Sequence, residues 1–141
     1  MRISSTIRRS AQVNRDGLAV HFQDRRQNWS EFASRVARLA SGLTEIGVKP
    51  GDRVAMLALN SDRYLEYFFA VPWAGAVFVP INTRLAPPEI VHWLTDSGAS
   101  VLLIDDNFRP VLPKIQGQIG GIRTFVHVTD GAAADGMRAY E

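Results

Sequence analysis

Apolar residues in the first third of the chain recur at helical spacing. They predict a helix between Asn28 and Gly47, and they stand at intervals of three and four: Phe32, Val36, Leu39, Leu43 and Ile46. Asn28 can cap this helix, and Glu31 occupies the capping-box position three residues later. Gly47 supplies the permissive backbone expected just past a helix end.

Two weaker patterns precede that helix. Ile3, Ile7 and Ala11 can share one face of an N-terminal helix, which Val13 joins less regularly. Leu18 to Phe22 reads as a short strand, and a charged turn over residues 23–27 can lead into a second short strand.

Further along, short apolar runs without alternation indicate strands that are covered on both faces. We predict such a strand at 54–59 and a buried strand at 76–81, where β-branched and aromatic residues follow each other. Two further strands are predicted at 101–104 and 124–128. Helices are predicted between them, opened by Asn60 to Asp62, by Pro87 and Pro88, and near Phe108. This alternation predicts an α/β fold with a mainly parallel sheet and helices on both faces.

The 141 residues, of which 46% are hydrophobic, suit a single domain with its own core. We assign residues 1–128 to this α/β subdomain. Residues 129–141 are rich in Ala, Gly and Asp and carry no core pattern, so we expect a flexible tail.

Net charge and cysteine content narrow the possible partners and the cellular compartment only slightly. A net charge of +2 gives no support to nucleic-acid binding. The absence of cysteine removes disulfides and thiolate sites and is compatible with a cytoplasmic protein. Arg2, Arg8, Arg9 and Arg15 form an acid-free N-terminal stretch of the kind found in targeting peptides, although an ordinary helix explains it better. The apolar stretch 64–81 is broken by Glu66, Pro and Gly, so we expect no transmembrane segment.

Four groups of residues could carry chemistry, and each has a plainer structural explanation. Glu89, His92 and Asp96 can share a helix face that would hold a metal or simply face solvent. Asp105 and Asp106 follow a strand at the sheet edge where ligands of open α/β sheets bind, but they can also cap the next helix.

The remaining candidates are histidines and glycines. His21 and His127 lie in predicted strands, and no serine or acid is placed by sequence to complete a triad. Gly117, Gly120 and Gly121 follow a predicted helix instead of opening one, which favours a turn over a phosphate loop. We assign no catalytic residue and no metal ligand.

Several short motifs, in order and spacing, resemble the N-terminal portion of the AMP-forming acyl-CoA synthetases, the adenylate-forming ligases. They cover roughly residues 3–106 and are residues 28–32, 47–48, 51–55, Asn60, 74–76, 79–85, Glu89 and 96–97. The resemblance implies an incomplete N-terminal subdomain of that fold. It also implies a departure at Pro72, where the family continues a helix that proline should kink or end.

Most of the matching residues have structural roles: Gly51 serves a turn, Asn60 caps a helix and Gly75 lets the chain enter a strand. Arg84 is the exception, because an arginine in this loop approaches the phosphates of the CoA nucleotide in relatives that bind CoA. A surface charge beside a helix explains Arg84 equally well.

The resemblance implies a two-step ligase that uses ATP, Mg²⁺ and CoA. A carboxylate attacks the α-phosphate of ATP, and the acyl group then passes from the adenylate to the CoA thiol. The family's phosphate loop, adenine-binding segment, hinge and C-terminal lysine come later and have no counterpart here, so we expect residues 1–141 to be inactive alone.

Two interpretations follow. The chain is either the N-terminal part of such a ligase, with the remainder of the enzyme as its partner, or a free-standing α/β module that pairs with a separate chain. If a missing partner subdomain normally covers one side of the sheet, the isolated chain should expose an apolar face and self-associate. The acyl substrate is not encoded in this segment.

Overall fold

The computed structural model describes residues 3–141, so Arg2 of the basic N-terminal stretch and the side chain of Ile3 lie outside the description. Five helices, seven strands and two 3-10 turns are present in this range. The helices are α1 (Ile3–Val13), α2 (Trp29–Glu45), α3 (Asp62–Trp73), α4 (Pro87–Ser97) and α5 (Leu112–Ile115). The strands are β1 (Leu18–Phe22), β2 (Arg25–Asn28), β3 (Arg53–Leu57), β4 (Val77–Pro80), β5 (Val101–Asp105), β6 (Thr124–Val128) and β7 (Arg138–Ala139).

The described residues divide into two compact units, residues 3–50 with 60–76 and residues 51–59 with 77–141. The first unit contains α1, α2, α3 and the antiparallel pair β1 and β2. The second contains a parallel sheet of order β4-β3-β5-β6-β7. The predicted α/β class and parallel sheet are confirmed; the boundary at residue 128 and the flexibility of the tail stay predictions.

Helix α2 organises the first unit as its sequence predicts. Asn28 Oδ1 accepts a hydrogen bond from Glu31 N, and Glu31 Oε2 accepts one from Asn28 N, both at 2.8 Å, which completes the capping box. Phe32 is buried and meets the ring of Phe69 edge-on at 5.8 Å between centroids. The apolar side of α2 therefore packs on α3 through aromatic contacts.

Charged side chains also hold the first unit together, although they carry no apolar pattern. Asp62 is buried in α3 and accepts a bidentate pair of 2.7 Å hydrogen bonds from the guanidinium of Arg25. Glu66, one turn further along α3, is 1% exposed and pairs with Arg35 of α2. Burial of these carboxylates is tolerated because each meets a cation and hydrogen-bond donors.

The second unit builds its core on one face of the parallel sheet. Alternate residues of β3 and β5, Ala55 with Leu57 and Leu102 with Ile104, pack with α4 and α5 in one buried cluster. Strand register pairs Ala55 with Leu102 and Leu57 with Ile104. The absence of alternation is matched by burial in β5 and, beyond Arg53, in β3, whereas β4 is exposed at both ends and β6 is only partly buried at its start.

Two local predictions need correction. The helix predicted from Phe108 to Ile115 is broken into a 3-10 turn at Arg109–Val111, the short α5 and a second turn at Gln116–Gln118. Pro113 has no N–H with which to continue the helical ladder. Ser61, not Asn60, caps α3, since its Oγ accepts a hydrogen bond from Tyr64 N at 3.2 Å.

The tail also contains an element that no pattern predicted. Strand β7 pairs in parallel with β6, and Tyr140 N donates to His127 O at 3.2 Å. Pro72 lies in the last turn of α3, which ends one residue later at Trp73, in agreement with its helix-ending role.

Candidate functional site

The carboxyl ends of the parallel strands collect the polar residues that the sequence singled out. Because β3 lies between β4 and β5, the loop that carries Arg84 and the turn that carries Asp105 are two strands apart, about 10 Å at the usual strand spacing. Ligands of open α/β sheets bind at this edge, so it is the candidate functional site.

Arg84 lies in the loop that leaves β4. Ile81 N donates to Met56 O at 3.0 Å, which continues the ladder one residue beyond the strand. Asn82 then turns the chain, because its Oδ1 accepts a hydrogen bond from Arg84 N at 2.9 Å. The Arg84 side chain is exposed, and among the described residues it has no hydrogen bond or ion pair. It is therefore a cation that is available to an anionic group at this edge.

The carboxylate of Asp105 makes its hydrogen bonds within this edge of the sheet. One carboxylate oxygen accepts from Leu59 N at 2.9 Å, and the other accepts from Asn107 N and Phe108 N at 3.0 and 3.1 Å. The Asn107 side-chain amide adds a further bond at 3.0 Å. The buried carboxylate thus stabilises the turn after β5 and fixes the end of β3. It does not cap the helical segment that follows, whose N-cap position is Phe108 without a side-chain hydrogen bond, so the capping interpretation needs correction here too.

Asp106 has a different partner from the one expected. Its Oδ1 lies 2.8 Å from Nε2 of His127, whose side chain is only 5% exposed. Ala134 N donates to Nδ1 of the same ring at 3.1 Å, so the ring proton stands on Nε2 and is donated to Asp106. The capping interpretation is wrong for Asp106.

The pair does not form a catalytic triad. In a triad the acid holds Nδ1 and leaves Nε2 to the nucleophile, whereas here both ring nitrogens of His127 have partners. A hydrogen bond from Thr129 is the largest effect that lowers the pKa of Asp106, and His127 and Arg109 lower it further. The ionised carboxylate is thereby favoured, which suits a structural link between β5, β6 and the chain that follows.

The pair formed by Asp106 and His127 could not be recognised from the sequence. Asp106 and His127 are 21 positions apart and meet because β5 and β6 lie side by side, with Ile104 opposite His127. Parallel strands that end together do offer a signal, since each run is followed by polar residues. Ala134 could not be added from sequence, because its segment follows no periodic pattern.

The candidate metal group is not assembled. Glu89 uses Oε2 to accept a hydrogen bond from Ala86 N at 2.7 Å at the start of α4, while His92 and Asp96 are exposed. Within residues 3–141, no three His, Asp or Glu side chains come close enough to hold a metal ion.

The glycines after α5 do not form a phosphate-binding loop. Gly120 and Gly121 lie in a turn after a 3-10 segment and open no helix that could receive a phosphate. None of the helices described is long and apolar enough to cross a membrane.

Comparison with known proteins places this α/β architecture in a known enzyme family. The family model described as AMP-binding enzyme matches residues 7–139, so the chain belongs to the AMP-binding enzyme family. The resemblance to acyl-CoA synthetases that the motifs indicated is thereby confirmed.

Individual relatives are CoA ligases and synthases. A feruloyl-CoA synthase from Amycolatopsis is 52% identical over 95 residues, which cover 67% of this chain and 19% of that protein. A long-chain-fatty-acid–CoA ligase from Thermus thermophilus is 43% identical over 116 residues, covering 82% of this chain and 21% of the relative. The chain thus spans about a fifth of the length of the curated relatives it matches.

A solved structure extends the likeness to the fold. The fatty acyl CoA synthetase of Mycobacterium tuberculosis superimposes with a TM-score of 0.86 at 33% identity. The superposition covers 90% of this chain and 26% of the synthetase.

Proposed function

We propose that this chain is the N-terminal part of an ATP-dependent acyl-CoA ligase, which forms an acyl-adenylate from a carboxylate and then an acyl-CoA. The family match across residues 7–139 carries this proposal. The names of its relatives support the CoA-ligase class, and aromatic and fatty acids both occur among the acids they name.

The 141 residues alone do not activate carboxylates. Adenylyl transfer needs positioned cations and donors around the phosphates, and the described residues offer no metal cluster and no glycine-rich loop at a helix start. The chain's own part is a scaffold whose buried strands set the carboxyl edge of the sheet.

Arg84 is the residue that we assign to CoA. Its exposed guanidinium stands at the carboxyl edge on a loop held by Asn82, and a guanidinium matches phosphate oxygens in a bidentate manner. ATP, Mg²⁺ and CoA belong to the whole ligase, and none of them is expected to bind tightly to this segment.

Pyrophosphate exchange tests the proposal. The purified chain is incubated with ATP, Mg²⁺, labelled pyrophosphate and a panel of fatty and aromatic acids, and no exchange above a blank is expected. Clear exchange would overturn the assignment of inactivity.

The DNA after the codon for Glu141 separates this proposal from its alternative, a free-standing module that pairs with a separate chain. A continuing frame with a Ser/Thr/Gly-rich segment supports the ligase. In the protein from such a frame, Arg84→Ala should raise KM for CoA about tenfold, the loss expected for one charged hydrogen bond. Pyrophosphate exchange should be unchanged, and an unchanged KM would remove Arg84 from the CoA site.

The binding partners that we propose for this chain are the rest of the ligase and other copies of the chain itself. Large apolar side chains of the second unit are about half exposed, Leu59 at 50%, Val77 at 50% and Trp93 at 49%. We place the protein in the cytoplasm and expect the isolated chain to self-associate through such surface. Light scattering that finds a stable monomer at high concentration would contradict this association.

A further inference from the structure

The ring of His127 is bonded to the chain segment that follows β6. Ala134 N donates a hydrogen bond to Nδ1 of the ring at 3.1 Å, while Nε2 lies 2.8 Å from Asp106 Oδ1. A backbone N–H can only donate, so Nδ1 offers a lone pair and the ring is neutral, with its proton on Nε2. The bond from Ala134 therefore exists only while His127 is neutral.

A second proton on the ring removes this acceptor. The proton must go to Nδ1, because Nε2 already carries one, and the N–H of Ala134 then points at another N–H. A donor left without an acceptor in a buried place is costly. The His127 side chain is 5% exposed, so the new N–H meets water only after the neighbouring chain moves.

The charges around the ring decide which of its two contacts breaks. The pKa of Asp106 lies below its ordinary value, chiefly through a hydrogen bond from Thr129, so this carboxylate stays ionised in the pH range where histidines gain a proton. An ionised carboxylate holds a charged ring more tightly than a neutral one. The other charged residues on the elements around the ring are Asp105, Arg109, Asp130, Asp135, Arg138 and Glu141.

The segment beyond Ala134 is attached to the sheet over a short length. Strand β7 has two residues and lies at the edge of the sheet, next to β6. Tyr140 N donates to His127 O at 3.2 Å, and Met137 is partly buried against the core of the second unit. In such a short attachment, the loss of one hydrogen bond is a large fraction of the local stability.

We propose that protonation of His127 releases the segment from Ala134 through β7, so that β7 leaves the sheet as the pH falls and returns as it rises. Asp106 keeps the charged ring in place while Ala134 N loses its acceptor. The switch uses no residue that we assign to the ligase function, so it succeeds or fails independently of that function.

Amide hydrogen exchange followed by NMR tests the switch in the 141-residue chain. Rates for the amides of Ala134 and Tyr140 are measured at about pH 7.5 and about pH 5.5 and divided by the intrinsic rates at each pH. Protection of both amides should fall about tenfold at the lower pH, as expected when a hydrogen bond is lost and its donor is left unpaired. The amides of β5 should change far less, because the core of the sheet stays folded.

The ring itself is observed in the same samples. The ¹⁵N shifts of His127 should show the second proton arriving on Nδ1, with the same midpoint as the change at Ala134. This comparison needs no substitution, so it decides the question even where a variant fails to fold. A ring that gains no second proton above about pH 5, or a ring that titrates while Ala134 keeps its protection, would overturn the proposal.

Two variants of His127 should lock the segment in opposite states. His127→Asn places an amide oxygen where Nδ1 stood and cannot be protonated, so the segment should stay protected at both pH values. His127→Gln keeps a donor for Asp106 but offers Ala134 no acceptor, so protection should be low at both. His92→Asn is the matched control, since His92 is exposed on α4, and it should keep the pH dependence of the wild type. The same pH dependence in His127→Asn as in the wild type would also exclude the switch.

Discussion

The ion pair between Arg35 and Glu66 gives the sharpest prediction about stability. Glu66 is 1% exposed, whereas the Arg35 side chain keeps 24% of its surface in water. Arg35 donates through Nε to one carboxylate oxygen and through Nη2 to the other, the latter at 3.3 Å. Arg35→Met keeps much of the apolar stem and removes the cation, so a buried carboxylate loses its charge partner.

Loss of one member of a buried pair costs about 3–5 kcal/mol, and the partial exposure of Arg35 favours the lower end, about 3 kcal/mol. With a urea slope of about 1.5 kcal/mol/M, the midpoint should fall by about 2 M. Urea unfolding followed by tryptophan fluorescence measures this shift, because Trp29 and Trp73 lie against the core of the first unit.

Two further variants identify the cause. Arg38→Met removes an exposed arginine from the same helix and should change stability by less than about 0.5 kcal/mol. Combining Arg35→Met with Glu66→Leu removes both charges and should recover most of the loss. The reasoning is refuted if Arg35→Met costs under about 1 kcal/mol, or if the double variant is no more stable than the single one.

Two other changes test the second unit. Gly98 has φ 63°, and an added Cβ would lie 2.8 Å from Nη2 of Arg53, so Gly98→Ala should cost about 1–3 kcal/mol in thermal or urea unfolding. Gly42→Ala is the contrast, since nothing lies within 4 Å in mid-helix and about 0.5–1 kcal/mol should be gained; equal effects of the two would contradict the steric reasoning. The pKa of the Asp106 carboxyl is lowered in the folded protein, chiefly by a hydrogen bond from Thr129. The ionised carboxylate therefore stabilises the folded state at pH values above the unfolded-state pKa of about 3.9, and this stabilisation is lost as the pH falls through the folded-state pKa. The stability difference between wild type and Asp106→Asn, followed by unfolding from pH 6 to pH 2, should therefore shrink below about pH 4, and a constant difference would exclude this linkage.

Local rules account for the elements that the sequence predicted well. The capping box at Asn28 and Glu31 and the proline pair before α4 act over a few residues, and both helices begin where those residues indicate. A strand buried on both faces is recognisable because its residues are apolar in succession, as they are in β5 from Val101 to Ile104.

Features that depend on pairing between distant segments could not be predicted. Strand β7 has only two residues and is defined by its partner β6 instead of by its composition. The carboxylates of Asp62 and Glu66 look like ordinary polar helix residues until β2 and α2 bring arginines to them. In both cases tertiary contacts decide what local propensity leaves open.

At the candidate site, too, tertiary hydrogen bonds decide which polar side chains remain available to a ligand. The Asp105 carboxylate is hydrogen-bonded to the end of β3, and both ring nitrogens of His127 are hydrogen-bonded, to Asp106 and to Ala134 N. A group whose lone pairs and protons are already satisfied has little left to offer a substrate, so these residues set the shape of the edge. Arg84 differs because its backbone is fixed by Asn82 while its guanidinium makes no bond within residues 3–141. Of these residues, Arg84 is therefore the one whose side chain stays available to an anionic ligand at this edge.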